Sequence, residues 1–139
     1  MESRKVKHFI IENQVTELSR LAEEIDQLAS KWKLPQALAM NMNLVIEEAV
    51  TNIIFYAFND NRKHEINIYI SVEDNLLTIL IRDNGIPFDP LSQQKPDITS
   101  AAEERKVGGL GIFLISEIMD EVHYSRKKNQ NILTLTKNI

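Results

Sequence analysis

The stretch IEEAVTNIIFYAF, residues 46–58, has the composition of a buried helix, yet it carries two acids and an amide. At about 100° per residue, Glu48 and Asn52 lie roughly 40° apart at the border of its apolar face. Glu47 falls on the opposite side, where solvent satisfies it. A polar pair at the border of a buried face is costly to desolvate unless neighbouring backbone or a ligand cleft meets it. Taken alone, this helix leaves both explanations open.

The sequence on either side of this stretch supplies the other elements of a small domain. VKHFIIEN (6–13) is typical of a strand, QVTELSRLAEEIDQLASKWKL (14–34) has the period of an amphipathic helix, and Pro35 suits the first turn of the helix containing residues 46–58. Residues 64–85 and 121–139 each read as a β-hairpin. The sequence therefore predicts an α+β fold, a two-layer sandwich with one mostly antiparallel, mixed sheet covered on one face by helices.

Composition narrows the possible functions. The chain has 139 residues, 43% of them hydrophobic, which is the usual size of one domain, and we expect a single domain over residues 1–139. Sixteen basic and twenty acidic side chains give a net charge of −4, which disfavours direct binding to nucleic acid. There is no cysteine, and so no disulfide or thiolate metal site.

MESRKVKHFI is not a secretory signal and no apolar run has the length of a membrane span, so we expect a cytoplasmic protein without a membrane partner.

Two further motifs follow along the chain. RDNGIPFDP (82–90) places Asp83 at the end of a predicted strand, followed by Gly85 and Pro87, so a hydrogen-bond acceptor is held where the backbone turns sharply. GGLG (108–111) stands directly before an apolar helix, where free backbone amides suit phosphate oxygens. Its spacing is that of neither a P-loop nor a dinucleotide fingerprint. Each motif is common by itself, and the inference rests on their order.

An acid–x–x–x–Asn helix, an Asp–x–Gly–x–Pro turn, a long polar connection and a Gly–x–Gly helix start, in that order, are the signature of the superfamily of gyrase, heat-shock chaperone, histidine kinase and mismatch-repair ATPases. The chain resembles this superfamily. Within it, EEAVTNII, IRDNGIPFDP and GGLGIFLI are most similar to the bacterial anti-sigma factor serine/threonine kinases, which regulate sigma factors through partner switching. The resemblance covers nearly the whole chain and implies the histidine kinase-like ATPase fold.

The resemblance also implies roles for the residues of the first two motifs. Glu48 is the candidate catalytic residue, a general base that polarises the attacking hydroxyl. Asn52 would bind the cofactor ATP through a Mg²⁺ ion that bridges the phosphates. Asp83 would accept a hydrogen bond from the exocyclic amine of adenine, Gly85 would let the base approach, and Pro87 in the same turn would also belong to the nucleotide-binding site. These roles fit phosphoryl transfer, which needs positioning and charge neutralisation more than covalent chemistry.

The resemblance places the phosphates of ATP beneath a lid over residues 88–108. Related kinases often carry an arginine two residues before the first glycine of the Gly–x–Gly motif, and here that residue is Val107. The remaining candidates for binding the phosphates are nearby backbone amides and basic side chains: Gly109, Leu110, Gly111, Arg105 and Lys106.

The implied function is that of an ATP-dependent serine/threonine protein kinase and anti-sigma factor, which phosphorylates a small anti-sigma factor antagonist and sequesters a sigma factor. A homodimer is implied by resemblance only. The alternative is a nucleotide-gated regulatory binding module without significant kinase activity. A third possibility is a structural α+β domain in which the three motifs occur by chance. Phosphorylation of a partner hydroxyl separates the first two, and specific ATP affinity excludes the third.

Overall fold

The computed structural model describes residues 4–92 and 109–139. Five strands and three helices follow one another as β1 (Lys5–Glu12), α1 (Glu17–Lys31), α2 (Gln36–Tyr56), β2 (Glu65–Glu73), β3 (Leu76–Asp83), α3 (Gly109–Ile118), β4 (Glu121–Lys127) and β5 (Gln130–Asn138), with a 3₁₀ turn at Pro90–Ser92. No helix within these described ranges is both long and apolar enough to cross a membrane.

The strands form one sheet in the order β1-β2-β3-β5-β4. All four pairings are antiparallel. The two predicted hairpins are present, and each turns through two residues with positive φ: Asp74 and Asn75 (52° and 62°), and Lys128 and Asn129 (50° and 62°). Positive φ at both central residues is the geometry of a type I′ turn, whose twist matches that of the flanking strands. The order also inserts β5 between β3 and β4, so the C-terminal hairpin lies beside the end of β3.

The helices cover one face of the sheet. Alternate strand residues are buried against them, and α2 contacts both α1 and α3. Burying one such aliphatic side chain is worth about 1.5–3 kcal/mol, so this contact between layers supplies most of the drive to fold. The predicted two-layer α+β sandwich is confirmed. Its largest fully buried side chains are Ile11, Leu21, Ile25, Met42, Ile46, Ile66, Ile68, Ile70, Leu77, Ile79, Ile81 and Ile115.

The turn after β3 is joined directly to the end of α2. The backbone N–H of Ile86 donates to the carbonyl of Ala57 at 2.7 Å. Gly85 packs so closely that a Cβ added to it would lie 2.2 Å from the Ala57 carbonyl oxygen and 2.8 Å from the Ala57 Cβ. This contact holds the turn that follows Asp83 against the helix that carries Asn52.

Replacing Gly85 with alanine should therefore destabilise the protein, because the obstructing atoms belong to backbone that is itself hydrogen-bonded. We expect Gly85→Ala to lower the free energy of unfolding by about 1–3 kcal/mol, measured by urea denaturation. The matched control is Asn84→Ala at the exposed neighbouring position, which should change it by less than about 0.5 kcal/mol. Equal stability of the two variants would contradict the packing role of Gly85.

Candidate functional site

A cavity lies between α2, α3 and the sheet. Its volume is about 20 Å³, room for about one water molecule, and it is partly open to solvent. Most of its lining is apolar, with a few polar side chains, as is typical of sites for small molecules. The polar members are Asn52, Asp83, Tyr124 and Asn131, and the apolar members are Ala49, Ile53, Ile81, Phe88, Pro90, Ile112 and Leu133.

The Asp83 carboxylate is only 3% exposed at the end of β3. Its Oδ1 accepts hydrogen bonds from the backbone N–H of Gly85 at 2.8 Å and from Nδ2 of Asn131 at 3.0 Å. Its Oδ2 forms no hydrogen bond with residues 4–92 or 109–139. Burial raises the pKa of Asp83, and the hydrogen bonds from Asn131 and Gly85 and the charge of Arg126 oppose that rise. The hydrogen bonds to Oδ1 thus hold the carboxylate in place, and Oδ2 is free to accept a hydrogen bond from a donor in the cavity.

Asn52 is 4% exposed on the cavity side of α2. Its carboxamide makes no hydrogen bond to any residue in the described ranges, so the explanation in which a nearby carbonyl satisfies it finds no support there. The polar atoms of this carboxamide are not fully enclosed, so water can reach them from the cavity and a polar ligand would replace that water. Its oxygen is also a suitable ligand for Mg²⁺, which is commonly bound by one or two protein oxygens together with phosphates. Asn52 therefore fits the metal role that the resemblance implies.

Glu48 is half-buried one turn before Asn52 on α2. Burial is the main cause that raises the pKa of Glu48, and the negative charge of Glu47 raises it further. Glu47 is exposed, as predicted. The Glu48 carboxylate forms no hydrogen bond or ion pair within the described part of the chain. A free carboxylate whose pKa is raised towards neutrality is suited to general base catalysis.

Gly85 and Pro87 are not among the residues that line the cavity. Gly85 is buried against Ala57, and Pro87 is exposed. The contact with α2 gives Gly85 a packing role that the sequence did not suggest. The role of Gly85 in letting the adenine ring approach stays a prediction.

The phosphate-binding part of the predicted site is only partly described. Gly109, Leu110 and Gly111 form the first turn of α3, whereas the sequence predicted that the glycines directly precede the helix. Binding of phosphate by their amides stays a prediction. Arg105, Lys106 and Val107 lie outside the described residues.

Of the predicted lid over residues 88–108, the structure describes only 88–92. There the Phe88 ring stacks on Tyr56 at a centroid distance of 5.5 Å, and Pro90 is buried in the cavity wall. The start of the predicted lid is thus packed on the body of the domain.

Three site residues were missed from the sequence, and all come from the C-terminal hairpin. Arg126 donates from Nη1 to the carbonyl of Gly85 at 2.8 Å, a contact that the sequence did not suggest. The Tyr124 hydroxyl donates to Oδ1 of Asn131, which is 4% exposed. A signal for Asn131 was present, because it shares the alternation of the buried residues Leu133 and Leu135.

Comparison with known proteins identifies the class to which this fold and site belong. Residues 11–137 match the family model of the histidine kinase-like ATPase domain, and the chain belongs to this family. An ATPase family implies that the domain uses ATP. The histidine kinase AdeS of Acinetobacter baumannii has the same fold, with a TM-score of 0.53 and 12% identity over 96% of this chain and 68% of that one.

Three relatives of this chain indicate the group of kinases that it resembles within the family. The serine-protein kinase RsbW of Listeria monocytogenes serovar 1/2a is 29% identical over 109 residues, which is 76% of this chain and 68% of the relative. The serine/threonine-protein kinase BtrW of Bordetella bronchiseptica is 26% identical over 112 residues, 81% of this chain and 79% of the relative. RsbW of Oceanobacillus iheyensis is 33% identical over 91 residues, and the match spans 59% of this chain and about half of the relative, 54%. The resemblance to anti-sigma factor serine/threonine kinases is confirmed.

The buried charge of Asp83 gives a testable dependence of stability on pH. The pKa of Asp83 is higher in the folded than in the unfolded chain, so protonation of Asp83 stabilises the folded state. This stabilisation is fully present below the unfolded pKa and is lost as the pH rises through the folded pKa. Asp83→Asn keeps an oxygen for Gly85 and Asn131 but carries no charge. We expect this variant to have the higher free energy of unfolding near pH 7, with a difference that shrinks towards about pH 4.

The measurement is urea denaturation of both proteins across this pH range in the absence of nucleotide. Glu23→Gln, which neutralises an exposed acid on α1, is the control and should show no such trend. An Asp83→Asn variant that is less stable than wild type at neutral pH would contradict a net cost of burying the carboxylate.

Proposed function

We propose that this protein is an ATP-dependent serine/threonine protein kinase and an anti-sigma factor, which phosphorylates a small antagonist protein and sequesters a sigma factor. The observation that carries the proposal is the pair of polar groups without a hydrogen-bond partner in the described residues that line one apolar cavity, the free Oδ2 of Asp83 and the carboxamide of Asn52. The carboxylate of Glu48 lies one helical turn from Asn52 on α2 and is not part of the cavity lining. The names of the relatives RsbW and BtrW, which are serine or serine/threonine protein kinases, support it.

The lining of the cavity is chemically suited to adenine, and its walls would have to move apart to admit the ring. Its apolar walls, which include Ile81 and Leu133, would pack on the faces of a purine ring, and the exocyclic amine would donate to Oδ2 of Asp83. Guanine presents a carbonyl at the same ring position, and its oxygen would face a carboxylate. A fixed, buried acceptor therefore favours ATP over GTP.

The polar groups of α2 would carry out the transfer. Mg²⁺, when bound, neutralises charge on the phosphates. Asn52 would hold the ion from the cavity side, and amides of the first turn of α3 would bind phosphate oxygens. Glu48 would take the proton from the acceptor hydroxyl as that oxygen bonds to the γ-phosphorus. The bond from the γ-phosphorus to the β–γ bridging oxygen breaks, and ADP leaves with that oxygen.

A second candidate function is a binding module that uses nucleotide only to set its conformation. The observation that favours it is Val107, which stands where related kinases often carry an arginine. Loss of one charge-stabilising donor lowers a transfer rate without necessarily lowering nucleotide affinity. Transfer and binding must therefore be measured on the same variants.

We expect Glu48→Ala to retain most of the affinity for Mg·ATP while slowing transfer to a serine or threonine of the antagonist by roughly 10²–10⁴-fold. Asn52→Ala should weaken both binding and transfer, because the metal is held less well. The measurement is transfer of labelled γ-phosphate to the antagonist, together with calorimetric affinities for each protein.

The matched control is Glu47→Gln on the adjacent exposed position. Removing the Glu47 charge should lower the pKa of Glu48, so transfer should continue and the limb on which the rate falls with falling pH should move to lower pH. If the wild type binds Mg·ATP and phosphorylates no such partner, the kinase proposal is wrong and the nucleotide-gated module replaces it.

A further inference from the structure

The geometry points to Asn131 as a positioning residue of the site, which holds Asp83 as a one-sided hydrogen-bond acceptor and thereby sets the preference for a ligand with an amino group. The inference rests on the proposed function only in taking that ligand to be an adenine nucleotide. Asn131 lies in β5, outside the three motifs along α2, β3 and α3.

The hydrogen bonds of Asn131 determine the orientation of its carboxamide. Nδ2 donates to Oδ1 of Asp83 at 3.0 Å and to the carbonyl of Ile86 at 2.8 Å. Oδ1 accepts from the backbone N–H of Phe88 at 3.2 Å and from the hydroxyl of Tyr124. A carboxamide has two donor hydrogens and two acceptor lone pairs, so its full capacity is used. A flipped amide would place its oxygen against the Asp83 carboxylate and the Ile86 carbonyl.

This arrangement decides which oxygen of Asp83 is available to a ligand. Asp83 and Asn131 are directly paired across the antiparallel strands β3 and β5, where opposed side chains come within reach of each other. The donor hydrogens of Asn131 and Gly85 both occupy Oδ1, and Oδ2 is left free. The position of the free acceptor is therefore set by a residue that need not touch the ligand.

The same contact acts on the charge of Asp83. Among the causes that lower the pKa of this buried carboxyl, the hydrogen bond from Asn131 is the largest, ahead of the Gly85 N–H and the Arg126 charge. In the described residues, the other cavity-lining groups near it are uncharged: Asn52 on α2, Ile112 on α3 and the Tyr124 phenol on β4. Removing the Asn131 donor should therefore let Asp83 protonate at higher pH, and a protonated carboxyl is a poorer acceptor for an amine.

The test compares Asn131→Ala and Asn131→Asp with Tyr124→Phe. Asn131→Asp keeps the shape of the side chain but replaces the donor with an oxygen. Tyr124→Phe removes one hydrogen bond to Asn131 and none to Asp83. Two readouts are needed: titration of the Asp83 carboxyl carbon by NMR in the nucleotide-free protein, and calorimetric affinity for ADP as a function of pH.

We expect Asp83 to titrate at higher pH in both Asn131 variants, and further in Asn131→Asp, where two carboxyls compete for one proton. ADP affinity of Asn131→Ala should fall about tenfold near neutral pH, and the loss should grow as the pH falls and narrow as it rises. Tyr124→Phe should leave the titration of Asp83 close to that of wild type.

An unchanged Asp83 titration in folded Asn131→Ala, or a loss of affinity that is equal at every pH, would overturn the inference and leave Asn131 a purely structural role. If the titration shifts as expected while neither wild type nor variant binds ADP, the positioning of Asp83 by Asn131 is supported and the adenine-nucleotide function is what fails. The NMR titration needs no ligand, so the two failures are distinguishable.

Discussion

A carboxylate that is 3% exposed at the end of β3 is the group around which the site is organised. Burying an ionised carboxylate in apolar surroundings is costly unless hydrogen bonds and opposite charge compensate it. Three compensating contacts converge on Asp83 and its turn: the N–H of Gly85, the amide of Asn131 and the guanidinium of Arg126 through the Gly85 carbonyl. Compensation remains incomplete, because one carboxylate oxygen has no partner in the described residues.

The same pattern of incomplete compensation recurs on α2. A helix selected only for stability would have apolar residues in place of Asn52 and Glu48, since both lie at or near the buried face and neither has a hydrogen-bond partner within the described ranges. Sites at which sequence and stability conflict in this way are expected to be functional. The close packing of Gly85 on Ala57 holds Asn52 and Asp83 at one cavity, with Glu48 one helical turn from Asn52, so the cost in stability is concentrated near the place where a ligand can offset it.

The elements of the fold could be predicted because helical and strand periods are local properties of the sequence. The helix of residues 46–58, both hairpins and the helix after GGLG lie where the sequence predicts them. The motifs also predicted that Asn52 and Asp83 lie in one site. Asn131 and Arg126 were missed because their partners are the turn after β3, and only the insertion of β5 between β3 and β4 brings them there. Strand order and register depend on non-local pairing, which periodicity does not reveal.

Recognition of the amino group of adenine by the free oxygen of Asp83 can be measured with a cycle of four affinities. Wild type and Asp83→Asn are each titrated with Mg·ATP and with the triphosphate of purine riboside, which lacks the amino group. Wild type should prefer ATP by about 10- to 100-fold, as expected for a hydrogen bond to a charged acceptor, and Asp83→Asn should lose most of that preference. The same preference in both proteins, or none in wild type, would contradict recognition of the amino group by Asp83.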